Sequence, residues 1–350
     1  MNKYTTLRDV ATLAGTTAAT ASYVLNDKQG RYISGETRAK VLEAAKKLDY
    51  IKCNGASSLK GMARKLIAIL VPQFENQFFT KIIVGAEEVF VKHGYDMVIC
   101  NTLDIPEREQ NIIIRMLQQR VDGILLTPTV KGHKNTAILR RLGIKYVVVD
   151  RPLEGDDDFC WVATDNYECG QKGAEYLFRR GHEKIAYIGW KTRVSYLDKR
   201  REAFLDTAAK YGAEKSVMVL EGDFSPEDGY KLTARALEKK PDISAFYFGF
   251  NIQALGGIRC LTDRHMDIPE RKSVIMIGSP EWAAAGRNKF TRVDMGGYDL
   301  GRGAAEMLMD IIRFPQKEPS MQVIRNCTLI EGDSVCSIGK KKQKKGENEQ

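Results

Sequence analysis

From residue 66 to residue 277 the chain repeats one alternation, a short apolar run followed by a stretch with helical periodicity. Apolar runs at 66–71, 97–100, 123–126 and 146–149 are interleaved with helical patterns at 78–92 and 107–119. A second series opens with a helical pattern at 169–179. It continues with runs at 185–188, 217–220, 245–248 and 274–277, separated by helical patterns at 201–211, 229–238 and 252–262. Short runs without polar alternation are strands covered on both faces, and a helix between consecutive strands carries the chain back so that they lie parallel. The predicted body is therefore two similar α/β lobes, each a doubly wound parallel sheet. Ligands of such sheets sit beyond the carboxyl ends of the strands, so two facing lobes predict a cleft for a small molecule.

The residues ahead of this body follow a different pattern. Thr6-Leu7-Arg8-Asp9 has the form of a capping box, and Leu7, Val10, Ala11 and Ala14 follow at helical spacing until Gly15 interrupts them. Thr16 or Thr17 can cap a second helix over 18–25, with Ala21, Val24 and Leu25 inward and Ala18, Ala19, Ser22 and Tyr23 outward. After a polar loop, Ser34 caps a third helix over 36–48, whose Val41, Leu42, Ala45 and Leu48 supply the rest of a small core. Two short helices joined at a glycine turn are a helix-turn-helix. Charge agrees with a nucleic-acid partner. Residues 1–64 hold eleven Lys/Arg against five Asp/Glu, and residues 340–350 hold five lysines against two glutamates, while the 275 between balance to zero within the net +9. A neutral body behind a basic N-terminal segment is the footprint of a headpiece meant for phosphate.

The second helix of such a domain enters the major groove. Ala18, Ala19 and Tyr23 are then the candidate base contacts, surrounded by Thr17, Thr20, Ser22 and Asn26. Alanine offers only apolar contact and tyrosine a single hydroxyl, so direct readout is expected to be weaker than with a bidentate reader.

Several segments stand in a recognisable order: Leu7-Arg8-Asp9-Val10-Ala11, Ala14-Gly15, Thr20-Ala21-Ser22-Tyr23-Val24-Leu25-Asn26, Ser34-Gly35-Glu36-Thr37-Arg38 and Val41-Leu42-Glu43-Ala44-Ala45. In the body they continue with Asn76-Gln77-Phe78-Phe79, Val121-Asp122-Gly123-Ile124, Asp150-Arg151-Pro152, Asp165-Asn166-Tyr167-Glu168-Cys169-Gly170 and Gly181-His182-Glu183-Lys184-Ile185. On these residues the chain, over about 5–335, resembles the lactose/galactose repressor (LacI/GalR) family.

The resemblance implies a headpiece over 1–50, a hinge over 51–64, a periplasmic-binding-protein-like body over 65–338 and a disordered basic tail over 339–350. Within the body it implies one lobe of 65–164 plus 292–322 and another of 165–291 plus 323–338. In the hinge, Ala56-Ser57-Ser58-Leu59 matches the family's A-R-S-L segment, so Ala56, Ser57, Leu59 and Lys60 are expected in the minor groove, with Leu59 as the wedge that kinks DNA. Phe74, Asp150, Arg200 and Phe224 are expected to line the effector cleft. Two further cleft positions depart from the family pattern: its Asn-Asp pair is Phe250-Asn251 here, and a later aspartate is Gly278. A sugar would lose hydroxyl partners at both, so the expected effector is a sugar or sugar derivative other than a simple hexose, or the cleft is partly blocked by Phe250. A homodimer on a pseudo-palindromic double-stranded operator, acting as a repressor, completes what the resemblance implies.

Other chemistry finds little support. The seven cysteines are scattered without a C-x-x-C pair, and the four histidines show no metal-ligand spacing, so neither disulfides nor a metal is expected. No phosphate loop or nucleophile elbow is present, which argues against an enzyme and gives no reason to expect a cofactor. No run approaches the roughly eighteen apolar residues of a membrane span. Met1-Asn2-Lys3-Tyr4-Thr5-Thr6 lacks a signal-peptide core, so a cytoplasmic location without membrane contact is expected. Two alternatives share the architecture: control of the same regulator by a protein corepressor, and a solute-binding receptor module.

Overall fold

The computed structural model of the chain describes residues 5–26, 32–51, 63–129, 132–153, 159–192, 194–286, 289–314 and 322–339. Contacts divide it into two compact units, Met1–Arg64 and Lys65–Gln350. The first contains α1 (Leu7–Leu13), α2 (Ala18–Leu25) and α3 (Gly35–Lys47), each started by a hydroxyl cap. Thr6 and Asp9 form the reciprocal capping box, Thr17 accepts from the Thr20 N–H, and Ser34 accepts from the Thr37 N–H. Gly15 turns the chain between α1 and α2 at φ 64°, a conformation glycine adopts without penalty. The core is small: Val10, Ala11, Ala14, Ala21, Val24, Val41 and Ala44. Two orientations differ from expectation. The buried stripe of α3 runs through Val41, Ala44 and Leu48, at steps that keep to one helix face, so Leu42 is exposed and Ala44 takes the inward place. Ala18 packs against this core rather than facing out.

The second unit holds two six-stranded sheets. The first is ordered β11-β5-β4-β3-β1-β2, from β1 (Leu66–Val71), β2 (Asp96–Asn101), β3 (Gly123–Leu126), β4 (Lys145–Val149), β5 (Trp161–Thr164) and β11 (Gln322–Arg325). All its pairings are parallel. One face is covered by α4 (Gln77–Lys92) and α12 (Gly297–Arg313), which bury Ile82, Phe90, Leu300 and Leu308 against Ile67, Ile69 and Val147. The other is covered by α5 (Pro106–Gln118) and α6 (Gly132–Arg141), which bury Ile112, Ile113 and Leu139 against Leu70, Ile124 and Val148. The α4 and α12 backbones nearly touch: a Cβ on Gly301 would lie 1.9 Å from the Ile82 carbonyl oxygen.

The second sheet is ordered β12-β10-β9-β8-β6-β7, from β6 (Ile185–Trp190), β7 (Met218–Gly222), β8 (Ala245–Phe248), β9 (Ser273–Ile277), β10 (Thr291–Asp294) and β12 (Thr328–Ile330). It is parallel except for β12, which runs antiparallel beside β10. Helices α7 (Asn166–Arg179) and α8 (Ser195–Lys210) cover one face, α9 (Pro226–Lys239) and α10 (Asn251–Asp263) the other, and the short α11 (Trp282–Ala285) follows β9. Both lobes are therefore doubly wound. The chain passes between them after β5, after β10 and after β11. The exchange points expected at 292 and 322 shift accordingly. Thr291–Asp294 stays in the second lobe because it pairs with β9, and Gln322–Arg325 belongs to the first because it pairs with β5. Hydrogen bonding between strands distant in sequence decides both assignments.

Candidate functional site

In the first unit α2 offers an outer face bordered by capped ends. The Thr17 hydroxyl stands 3.0 Å from that of Thr20, and the Asn26 amide donates to the Ser22 carbonyl at 2.7 Å and its hydroxyl at 3.1 Å. These groups serve the two ends of the helix. Ala19 is exposed, Ser22 and Tyr23 are half-buried, and Ala18 is partly withdrawn into the core. The expected hinge residues Ala56, Ser57, Leu59 and Lys60 lie outside the described residues, as do residues 340–350 of the basic tail.

In the second unit the carboxyl ends of strands from both sheets open onto one cavity, as doubly wound sheets require. From the first lobe come Gln73 and Asn76 after β1, Asp104 after β2, and Asp150 and Arg151 after β4. From the second come Trp190 at the end of β6, Phe224 after β7, Phe250 and Asn251 after β8, Met295 after β10, and Arg200 from α8. The space left is about 60 Å³, far below the roughly 300–1,000 Å³ of typical small-molecule sites. An aromatic triad fills the difference. The ring centroids of Trp190 and Phe224 are 5.1 Å apart, those of Trp190 and Phe250 5.9 Å, and those of Phe224 and Phe250 5.5 Å. Two arginines cap it, Arg200 at 4.5 Å over Phe250 and Arg151 at 5.9 Å over Trp190.

Each arginine is held in a different way. Arg200 Nε donates to Asn166 Oδ1 at 2.6 Å, Nη1 to the Gly249 carbonyl at 2.9 Å and Nη2 to the Met295 sulfur at 3.0 Å. Arg151 Nη1 donates to Asp104 Oδ1 at 2.8 Å, and its buried Nε has no acceptor among the described residues. Asp150 sits at φ 71°, a left-handed conformation that a non-glycine residue keeps only where its surroundings enforce it. Burial pushes its carboxyl up, against the opposing pull of Arg151 and Arg200. The lobes are also bonded across the cleft rim. Lys81 on α4 donates to the Ser279 carbonyl at 2.9 Å, the Glu281 N–H donates to Gln77 Oε1 at 2.6 Å, and Thr164 donates to the Met295 carbonyl at 2.8 Å.

Asp150, Arg200, Phe224, Phe250 and Asn251 thus share one cavity. Phe74 does not: it is 44% exposed on the loop after β1, and Phe78 and Phe79 occupy the wall instead. Gly278 does not either. It lies behind Asn251, where a Cβ would be 3.0 Å from the Asn251 side chain, and with no side chain of its own it cannot reach the cavity. The reading from sequence missed Arg151, Trp190 and Asp104. The available signal was position, since each lies at or just beyond a strand's carboxyl end. His182 has a structural place, buried with Nδ1 at 2.9 Å from the Ser244 hydroxyl and Nε2 at 3.0 Å from the Cys336 carbonyl.

Comparison with known proteins agrees with both units. The family described as periplasmic binding proteins and sugar binding domain of LacI family matches residues 64–331, and the bacterial regulatory proteins, lacI family, match residues 6–52. The HTH-type transcriptional repressor PurR of Mannheimia succiniciproducens is 29% identical over 324 residues, covering 91% of this chain and 95% of that protein. The structure of a LacI-family transcriptional regulator from Silicibacter pomeroyi superposes with a TM-score of 0.81 at 26% identity, covering 95% of this chain and 99% of the other. The lac repressor dimer bound to operator and the anti-inducer ONPF shares the fold, with a TM-score of 0.78 at 20% identity over 96% of this chain and all of the other.

Proposed function

Because this chain belongs to the LacI family of bacterial regulatory proteins, we propose that it represses transcription as a homodimer on a pseudo-palindromic operator, with a small molecule in the interlobe cleft as the switch. It is a DNA-binding transcription regulator with an effector-binding body. The observation that carries the operator reading is α2, a capped helix whose Ala19, Ser22 and Tyr23 remain accessible on a basic headpiece. Thr17, Ala19, Thr20, Ser22, Tyr23 and Asn26 form its DNA-facing surface, with Ala18 withdrawn toward the core. Residues 51–64 form the hinge, where paired copies of Ala56, Ser57, Leu59 and Lys60 fold in the minor groove.

The dimer reading rests on β2, an edge strand. Ile99 on it and Leu103, Ile105 and Ile114 beyond it are exposed apolar residues along one border of the first lobe, the kind of edge that a second copy covers. Asp150, Arg151, Arg200, Phe224, Phe250 and Asn251 hold the effector. The apolar ring of Phe250 in the wall, which offers a sugar hydroxyl no partner, favours a sugar derivative over a simple hexose. Ligand-driven movement of one lobe against the other would alter the first lobes across the dimer and with them hinge pairing. The protein acts as a regulator in the cytoplasm and not as a catalyst. Among the described residues no helix is long and apolar enough to cross a membrane.

Gel-shift titration against genomic fragments tests this reading. A preferred fragment should emerge whose affinity falls steeply with salt, and Leu59→Ala should weaken it more than nonspecific binding. Equal affinity for every fragment would refute it.

A further inference from the structure

The cleft holds two buried guanidiniums, and of the two only Arg151 stands in an ion pair among the described residues. Arg151 is paired with Asp104 at 2.8 Å. Arg200, 3% exposed, donates only to an amide, a carbonyl and a thioether, and among the described residues no carboxylate lies within ion-pair distance of it. Asp150, the other acid of the wall, stands 3.9 Å from Arg151 Nε and makes no ion pair with Arg200. After β8 the wall continues with Asn251, an uncharged amide, and Gly278 is closed off behind it.

A buried cation without a counter-charge is costly, and the cost is recovered when an anion enters. The donors for one are present. The thioether is the weakest of the three acceptors on Arg200, and a charged oxygen in its place makes a shorter, stronger bond. Arg151 lines the cavity, and its buried Nε has no acceptor among the described residues. Trp190 and Phe224 supply flat apolar faces for a ring. Taking the cleft as the effector site, we infer that its ligand is a ring-sized organic acid, such as a sugar acid. The carboxylate replaces the Met295 sulfur on Arg200, and a second oxygen of the ligand takes Arg151 Nε. A phosphate ester shares the anionic chemistry, but the few open donors favour a carboxylate, which has fewer oxygens to satisfy.

Calorimetry on the full-length protein, with tryptophan fluorescence in parallel, tests this on matched pairs: glucose and glucuronate, galactose and galacturonate, with glucose 6-phosphate added. At least one acid should bind about tenfold or more tightly than its neutral partner, the factor expected of one charge-assisted hydrogen bond. Asn251→Asp places an acid at the first residue of α10, where a helix N-terminus tolerates it. Circular dichroism checks its folding, and it should lower the ratio of acid to neutral-sugar affinity by about tenfold. A neutral sugar bound as tightly as its acid, binding of the phosphate alone, or no effect of Asn251→Asp would each overturn the inference. In the first of these outcomes the cleft would still be the effector site. If no compound binds while operator binding is intact, the effector reading fails and the inference fails with it.

Discussion

Replacing Phe250 by alanine removes the ring at the centre of the cleft's aromatic triad. The residue is 7% exposed, contacts Trp190 and Phe224 edge-on and lies under the Arg200 guanidinium. Fully buried Phe→Ala changes cost about 3–5 kcal/mol. Here the ring already borders a cavity that water can enter, which places the expected loss just below that range, about 2–3 kcal/mol. Summing the contacts gives a similar figure, from two edge-to-face pairs of about 0.5–1.5 kcal/mol each and a cation–π contact of about 1 kcal/mol. Helix capping does not intervene, since Phe250 precedes α10 without a side-chain cap bond and alanine caps no worse. Urea unfolding of the full-length protein, followed by tryptophan fluorescence and circular dichroism, should show a midpoint lowered by about 1 M with an unchanged slope. A loss below about 0.5 kcal/mol, the ordinary scale of surface changes, would mean that the ring is solvated and the triad does not close the cleft.

Three other perturbations follow from the same structure. Thr17→Val removes the α2 cap and should cost about 1 kcal/mol of headpiece stability, read as a several-fold weaker gel shift; unaltered affinity would remove the cap from the DNA-binding account. His182 is held below its usual value by burial, so below about pH 6.5 the unfolded chain takes up a proton that the folded chain resists. Stability should therefore be full above that value and fall as the pH drops toward the lower folded value. His182→Gln should flatten the difference between urea midpoints at neutral and mildly acidic pH, and an identical acid slope in the variant would contradict this. Gly301→Ala sets a Cβ 1.9 Å from the Ile82 carbonyl oxygen and forces α4 away from α12. A loss of about 3 kcal/mol should appear as a much lower melting temperature, and an unshifted melt would show that the two helices can separate freely.

What could be read ahead of the structure was local. Caps at Thr6, Thr17 and Ser34 depend on residues three positions away, so the three helices of the headpiece stand near their expected limits. The sequence places Leu42 inward and leaves Ala44 out because α3 offers several small and large apolar residues, and only packing against α1 and α2 selects the stripe. Strands covered on both faces announce themselves as unbroken apolar runs, as at Leu66–Val71 and Ala245–Phe248. Helix α12 escaped notice although Leu300, Ala304, Ala305 and Leu308 are all buried, because its glycines and its position after the regular alternation obscure the pattern. Exchange of β10 and β11 between lobes is set by pairing across the fold and leaves no mark along the chain. In the cleft, Asp150 and Arg200 were accessible through resemblance. Arg151 and Trp190 needed the geometric rule that strand ends make the site, and Phe74 failed because exposure of a loop side chain depends on how that loop turns.

The central claim, a dimer reading a pseudo-palindrome through its headpiece and hinge, is tested most directly by footprinting on the tightest-binding fragment from the gel-shift series. The expected result is two protected half-sites related by a dyad, with centres about one helical turn, 10–10.5 base pairs, apart, enhanced cleavage at the central step where Leu59 kinks the duplex, and loss of that enhancement in Leu59→Ala. Protection of a single half-site, or a uniform pattern unaltered by Leu59→Ala, would contradict it.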